Sequence, residues 1–111
     1  MHEKNLNIGY LLDFYGELLS DRKRSVMEMY YNEDFSLSEI ADEIGISRQG
    51  VRDIIKKSEE ELFFFEEKLG LSKKLKLIED KADDVYGTLD KYELPEDLKN
   101  DIVSLVQLIK Q

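Results

Sequence analysis

Cysteine is absent from the 111-residue sequence, which also contains only one proline and six glycines. Without cysteine the chain can form neither a disulfide nor a thiolate metal site. So few prolines and glycines leave little room for the many turns of a β-sandwich or barrel. The longest apolar runs are a few residues, far short of a membrane span. These absences favour an all-α protein.

Catalytic residue patterns are also missing. His2 is the only histidine, and no cysteine nucleophile, phosphate-cradling glycine loop or metal-ligand spacing occurs. In so acidic a chain, neighbouring carboxylates such as Asp83 and Asp84 are most simply solvated surface. The N-terminal segment lacks the basic stretch and small-residue cleavage site of a secretory signal. We therefore predict a cytoplasmic protein that is not an enzyme and uses no cofactor or metal.

The segment LSEIADEIGISRQGVRDIIK, residues 37 to 56, has the pattern of a helix-turn-helix. Ser36 is a suitable N-cap, and Glu39 three residues later completes an S-x-x-E capping box. Gly45 follows the last apolar residue of the first helix, where a left-handed cap costs glycine little. One face of this helix is apolar: Leu37, Ile40 and Ile44.

A second helix is predicted to begin at Ser47, with Ile46 pointing back inward. Ala41 is small, as two closely crossing helices require. The inner face of the second helix carries apolar residues: Val51, Ile54 and Ile55. A helical hairpin packed only for stability is the alternative interpretation of the same pattern.

Apolar periodicity predicts about six helices in the whole chain. The first covers Leu6 to Leu19 and has the pattern of a core-facing helix, with apolar residues at helical spacing: Leu11, Phe14, Tyr15, Leu18 and Leu19. The next is capped by Ser20 or Asp21 and broken at residues 32 to 34. The recognition helix continues past Lys57 to Gly70, some 20 residues or roughly 30 Å at 1.5 Å per residue. Two more helices follow, with Pro95 at the first position of the last. We therefore predict a helix-turn-helix domain over residues 1–70 and a C-terminal helical extension over 71–111, which packs on that domain or on a second subunit.

The charge distribution bears on a nucleic-acid role. The net charge is −9 and the isoelectric point is near 4.6, whereas binding to DNA depends on neutralising phosphates. The second helix nevertheless carries a local excess of positive charge, since Asp53 is its one acidic residue beside four basic residues: Arg48, Arg52, Lys56 and Lys57. A second basic cluster comprises Arg22, Lys23 and Arg24. Solvated helix faces would explain both clusters, and weak or conditional nucleic-acid binding fits this balance better than tight binding.

Three consecutive aromatic residues, Phe63, Phe64 and Phe65, lie in the predicted long helix. They spread over about 200° of its surface, since each residue advances by about 100°. Either the C-terminal helices fold back and bury the rings, or an exposed apolar patch pairs with a second copy or another protein. Our working expectation is a homodimer with a contact at these residues.

The segment LSDRKRSVMEMYYNEDFSLSEIADEIGISRQGVRDIIKKSEEEL resembles the fourth region of bacterial sigma factors. The other sigma regions have no counterpart in these 111 residues. The chain instead resembles the YlxM family, also called p13, of small bacterial proteins with a sigma region-four-like fold. The resemblance covers roughly residues 6 to 78 and is carried by LLDFYGELLSDRKRSVMEMYYNEDFSLSEIA, ISRQGVRDIIKKSEEEL and EEKLGL. It implies a regulatory link to the signal recognition particle, because genes of this family neighbour those of the particle's proteins.

The resemblance also implies a nucleic-acid-binding face at the start of the recognition helix: Ser47, Arg48, Gln49, Arg52, Asp53, Lys56 and Lys57. Arg48 or Arg52 would meet guanine edges and Gln49 would bond adenine. Ser47 and Lys56 suit phosphates, as do the basic residues Arg22, Lys23 and Arg24. The lack of a side chain at Gly50 argues against strong sequence specificity.

Two classes of function remain open. The protein is either a regulator that binds DNA or targeting-particle RNA, or a scaffold that binds proteins of the particle. For Arg48 and Arg52 the alternative to nucleic-acid binding is a pair of exposed arginines near Asp53 and Glu43.

Overall fold

A computed structural model describes residues 6–110 of the chain, and this part is helical with short connections and no β-strand. The prediction of an all-α protein with about six helices is confirmed. Single turns of 3-10 helix at Gly16–Leu18 and Leu89–Lys91 follow the first and fifth helices. The α-helices are α1 (Leu6–Tyr15), α2 (Asp21–Tyr31), α3 (Leu37–Ile44), α4 (Arg48–Leu69), α5 (Leu71–Thr88) and α6 (Glu96–Lys110).

The chain divides into two compact units, residues 1–70 and residues 71–111. In the first unit, α4 packs against α1, α2 and α3 and is therefore the central helix. Each of these helices contributes side chains to one continuous core. This core fixes which side of α4 is buried and which is exposed. The most deeply buried large side chains are Ile8, Met27, Tyr30, Ile40 and Leu62.

Two tyrosine–carboxylate hydrogen bonds join the outer helices of this unit to α4. The Tyr15 hydroxyl on α1 donates to Glu66 Oε1 at 2.7 Å. The Tyr31 hydroxyl on α2 donates to Glu59 Oε2, and Glu59 is almost fully buried. A buried carboxylate is costly unless it accepts hydrogen bonds. These two glutamates therefore help to hold α1 and α2 on α4, although both lie in a glutamate-rich stretch of the sequence.

The predicted length of the second helix of the helix-turn-helix is confirmed. Helix α4 spans 22 residues, roughly 33 Å at 1.5 Å per residue, and Gly70 ends it with a left-handed φ of 60°. The first helix is shorter than predicted, because α1 ends at Tyr15 and a 3-10 turn follows. That turn rotates Leu18 outward, so its predicted place in the core is wrong.

The start of α2 agrees with its predicted cap, and that of α6 differs by one residue. Ser20 is the N-cap of α2, and its hydroxyl accepts a hydrogen bond from the Lys23 backbone N–H at 3.3 Å. Helix α6 begins at Glu96, one residue later than predicted. Pro95 is just outside it, and its carbonyl accepts the Lys99 N–H at 3.0 Å.

The second unit is a helical hairpin of α5 and α6. Two ion pairs link the hairpin, Lys110 Nζ to Asp83 Oδ1 at 2.8 Å and Lys99 Nζ to Asp90 Oδ1 at 3.5 Å. The hydrogen bond to Asp83 raises the pKa of Lys110 above its ordinary value. Few apolar side chains of the hairpin are buried: Ala82, Leu89 and Val106.

No helix within residues 6–110 is long and apolar enough to cross a lipid bilayer.

Candidate nucleic-acid interface

Helix α3 starts at the capping box that the sequence predicts. The Ser36 backbone N–H donates to Glu39 Oε1 at 3.0 Å, and the Glu39 backbone N–H donates to Ser36 Oγ at 3.1 Å. The hydrogen bond from the Ser36 backbone lowers the pKa of the Glu39 carboxyl, and a smaller effect of the Ser36 side chain acts in the same direction. An ionised Glu39 in the first turn also matches the positive end of the helix.

The turn between α3 and α4 is tight. Gly45 has a φ of 74°, a left-handed conformation that glycine adopts readily. The Ala41 carbonyl accepts two backbone bonds across this turn, from the Gly45 N–H at 2.9 Å and the Ile46 N–H at 3.1 Å. Ala41 is itself buried beside Ile40. The position of α4 against α3 therefore depends on a glycine cap and a small side chain.

Ser47 caps α4, since its Oγ accepts the Gly50 N–H at 3.0 Å. A Cβ atom at position 50 would lie 3.2 Å from Ile46 Cδ1 and 3.3 Å from Ser47 Oγ, closer than ordinary van der Waals contact. Close packing against the turn thus explains the glycine. The same packing leaves no side chain at this position for contact with a base.

Basic residues share one exposed face of α4. Arg48, Arg52 and Lys56 are four residues apart and exposed, and residues at this spacing are neighbours on a helix surface. Val51 and Ile55, which lie between these positions along the helix, are buried in the core. Lys57 is also exposed. The structure therefore brings together Arg48, Arg52 and Lys56, whereas Lys57 points about 100° away from Lys56 around the helix.

Hydrogen bonding divides the polar residues of this face into two kinds. Gln49 Nε2 donates to Asp53 Oδ1 at 3.1 Å, so these two side chains bond each other. Within residues 6–110, no carboxylate lies within ion-pair distance of Arg48 or Arg52. The two guanidinium groups are thus not neutralised by Asp53 or by Glu43.

A groove of about 500 Å³ runs beside this basic face, between α4, the end of α2 and the start of α3. Tyr30, Leu37 and Ile55 form its apolar part, and Arg52 and Lys56 line it from α4. Sequence reasoning missed this groove, because it exists only when α2 and α3 pack on α4. Glu59 also lines it, and its place within an acidic run gave no indication of burial.

The second basic cluster is partly neutralised. Lys23 Nζ lies 2.8 Å from Glu61 Oε2 on α4, and Arg24 Nη2 lies 3.7 Å from Asp21 Oδ1. Both basic side chains are partly buried, whereas Arg22 is exposed. The cluster therefore offers less positive charge than its sequence indicates.

The phenylalanine run is divided between surface and core. Phe63 and Phe64 are 49% and 55% exposed. The Phe65 ring packs on the core, with its centroid 6.0 Å from that of Tyr15. Lys68 Nζ lies 5.7 Å from the centre of the Phe64 ring. Two of the three rings thus remain available as an apolar surface.

His2 lies outside the described residues. Among residues 6–110, no group of three or more histidine, aspartate or glutamate side chains could hold a metal ion.

This geometry defines a helix-turn-helix protein. The chain also matches a family model over residues 2–106, described as UPF0122, "Putative helix-turn-helix protein, YlxM / p13 like". The chain therefore belongs to the UPF0122 family, and the resemblance to YlxM and p13 proteins is confirmed.

Relatives in several bacteria share this family name. A UPF0122 protein of Exiguobacterium sibiricum is 43% identical over 109 residues, which cover 96% of each chain. One of Thermoanaerobacter pseudethanolicus is 49% identical over 85 residues, covering 77% of this chain and 73% of the relative. One of Clostridium kluyveri is 42% identical over 88 residues, covering 79% of each chain.

Proposed function

We propose that this protein is a non-catalytic regulator that binds nucleic acid through the first half of α4. Membership of a helix-turn-helix family supports the general role. The observation that carries the proposal is the exposed row of Arg48, Arg52 and Lys56, whose arginines have no carboxylate within ion-pair distance among residues 6–110. Cations without an intramolecular partner are free to bind phosphate.

The electrostatic balance sets the strength of this binding. Between Ser47 and Ser58 there are four basic residues and one acidic residue, an excess of three positive charges. The rest of the chain must then carry −12, since the total is −9. That charge repels a polyanion at long range. We therefore expect modest affinity that is restricted to the α4 face and decreases steeply with salt.

Each polar residue of the face has a proposed role. Arg48 and Arg52 bind base edges or phosphates, and Ser47, Lys56 and Lys57 bind phosphates. Gln49 contacts a base only after it exchanges its bond to Asp53, which makes an adenine contact less favourable. Of the second basic cluster, exposed Arg22 is the best phosphate contact, because Lys23 and Arg24 already have carboxylate partners.

The cellular setting follows from the family resemblance. We propose that the protein acts in the cytoplasm on the signal recognition particle pathway, and that its target is DNA or the RNA of the particle. We also propose that it works as a homodimer.

A protein-interaction scaffold is the second candidate function. The half-exposed rings of Phe63 and Phe64 favour it, since adjacent exposed aromatic side chains are common in protein interfaces. In this case the acidic surface would contact basic proteins of the targeting particle, and α4 would have no nucleic-acid ligand.

The salt dependence of binding distinguishes the two functions. Fluorescence anisotropy with duplex DNA and with targeting-particle RNA, from low to physiological salt, measures it. Contacts to three or four phosphates predict a slope of log K against log salt between about −2.7 and −3.6 for duplex DNA. Absence of binding at low salt, or affinity that does not change with salt, would favour the scaffold.

A further inference from the structure

The hairpin of the second unit has an apolar groove along one side. Aliphatic side chains of both helices line it, with Lys81 as the one charged residue among the lining positions described. Several of these side chains are substantially exposed, including Leu77 at 59% and Leu105 at 58%. The principal residues are Leu77, Ile78 and Val85 on α5 and Ile102, Leu105 and Ile109 on α6.

Two helices alone bury too little apolar surface for a stable hairpin. Helical stability in proteins comes mainly from tertiary packing of the apolar face, and here only Ala82, Leu89 and Val106 are buried apolar residues within residues 71–110. A second layer of helices on the groove would complete a four-helix bundle, which is the usual way such a face is covered.

From these observations we propose that the groove is covered by the same groove of a second copy of the chain. Both faces are aliphatic, so the surface is complementary to itself, as a two-fold interface requires. An 18-residue and a 15-residue helix side by side, each about 10 Å wide, present roughly 500 Å² per copy. Two copies would bury roughly 1,000 Å², which reaches the lower limit for a specific interface.

Charge favours a second copy at the hairpin over self-association through the first unit. Residues 71–111 contain 7 basic and 9 acidic residues, a net charge of −2. Residues 1–70 contain 9 basic and 16 acidic residues, a net charge of −7. Like charges oppose association, so pairing through the hairpin has the lower electrostatic cost. The proposal does not depend on nucleic-acid binding.

Analytical ultracentrifugation of the full chain without nucleic acid tests this interface. We expect a dimer, and Leu77→Glu or Leu105→Glu should each raise the Kd for self-association more than about tenfold, because each inserts a charge into its centre. Both positions are more than half exposed, so the helices should form in both variants, which circular dichroism checks.

Two control variants locate the contact. Tyr92→Glu, after the 3-10 turn between α5 and α6, and Phe64→Glu, in the first unit, should both leave the Kd unchanged. A parent chain that stays monomeric at high concentration would overturn the proposal. Dimers that persist in both groove variants but dissociate in Phe64→Glu would place the contact at the phenylalanines instead.

Discussion

Replacing Arg48 and Arg52 together by alanine is expected to abolish nucleic-acid binding and to leave the fold intact. Both side chains are exposed on α4 and neither belongs to the buried core, so their removal creates no cavity. The loss should be severe, because an overall charge of −9 leaves few other attractive surfaces. Any residual binding to duplex DNA should have a salt slope shallower by about 1.8, because two phosphate contacts are lost.

Anisotropy at low salt, with duplex DNA and with targeting-particle RNA, measures this effect. Lys76→Ala with Lys91→Ala is the matched control, since it removes the same charge from exposed positions in the second unit. The control should retain most of the affinity. Equal binding by the Arg48 and Arg52 variant and the parent would mean that α4 is not the binding face.

Ala41→Leu is expected to destabilise the first unit by about 1 to 3 kcal/mol, the typical cost of overpacking. Ala41 is buried where α3 meets α4, and its carbonyl holds the turn through the Gly45 and Ile46 N–H groups. Because Ala41 is buried next to this turn, we expect three additional carbon atoms to push the two helices apart. That separation would also displace the start of α4.

Thermal unfolding followed by circular dichroism should show this cost as a lower Tm, by on the order of 4 to 8 °C per kcal/mol for a unit of this size. Asp42→Leu is the control, since the neighbouring position is exposed and has room for the same side chain. If Ala41→Leu melts at the parent temperature, the close approach of α3 and α4 at this residue is wrong.

The helix-turn-helix was predictable because each of its determinants is local. The determinants are the Ser36 and Glu39 capping box, the left-handed Gly45 and the Ser47 cap. Each of them involves only residues within five positions of one another. Local hydrogen bonds and backbone preferences suffice to place such features. The length of α4 was predictable for a similar reason, since its apolar period continues to Gly70.

A local change of helix type and the contacts between helices were not predictable. Periodicity placed Leu18 in the core, but the chain changes to a 3-10 turn at Gly16 and exposes it. Glu59 lies in an acidic run, yet it is buried because α2 brings Tyr31 to its carboxylate. A one-dimensional pattern gives the spacing of side chains along one helix and does not specify the side chains of other helices beside them.

In the candidate site, too, the local features were predictable and the contacts between helices were not. The position of Arg48 and Arg52 on one exposed face follows from their spacing of four. The ion pair between Lys23 and Glu61 joins residues far apart in sequence, so only the packed structure shows that this cation has a partner. The groove beside α4 likewise needs three helices in place.

Mapping of the bound surface by NMR tests the central claim most directly. Backbone amide shifts of the isotopically labelled chain are followed as duplex DNA or targeting-particle RNA is added at low salt. Binding through α4 predicts the largest changes at residues 47 to 57, above all at Arg48 and Arg52, with little change around Phe63 and Phe64. Changes confined to other surfaces, or no changes with either nucleic acid, would contradict the account.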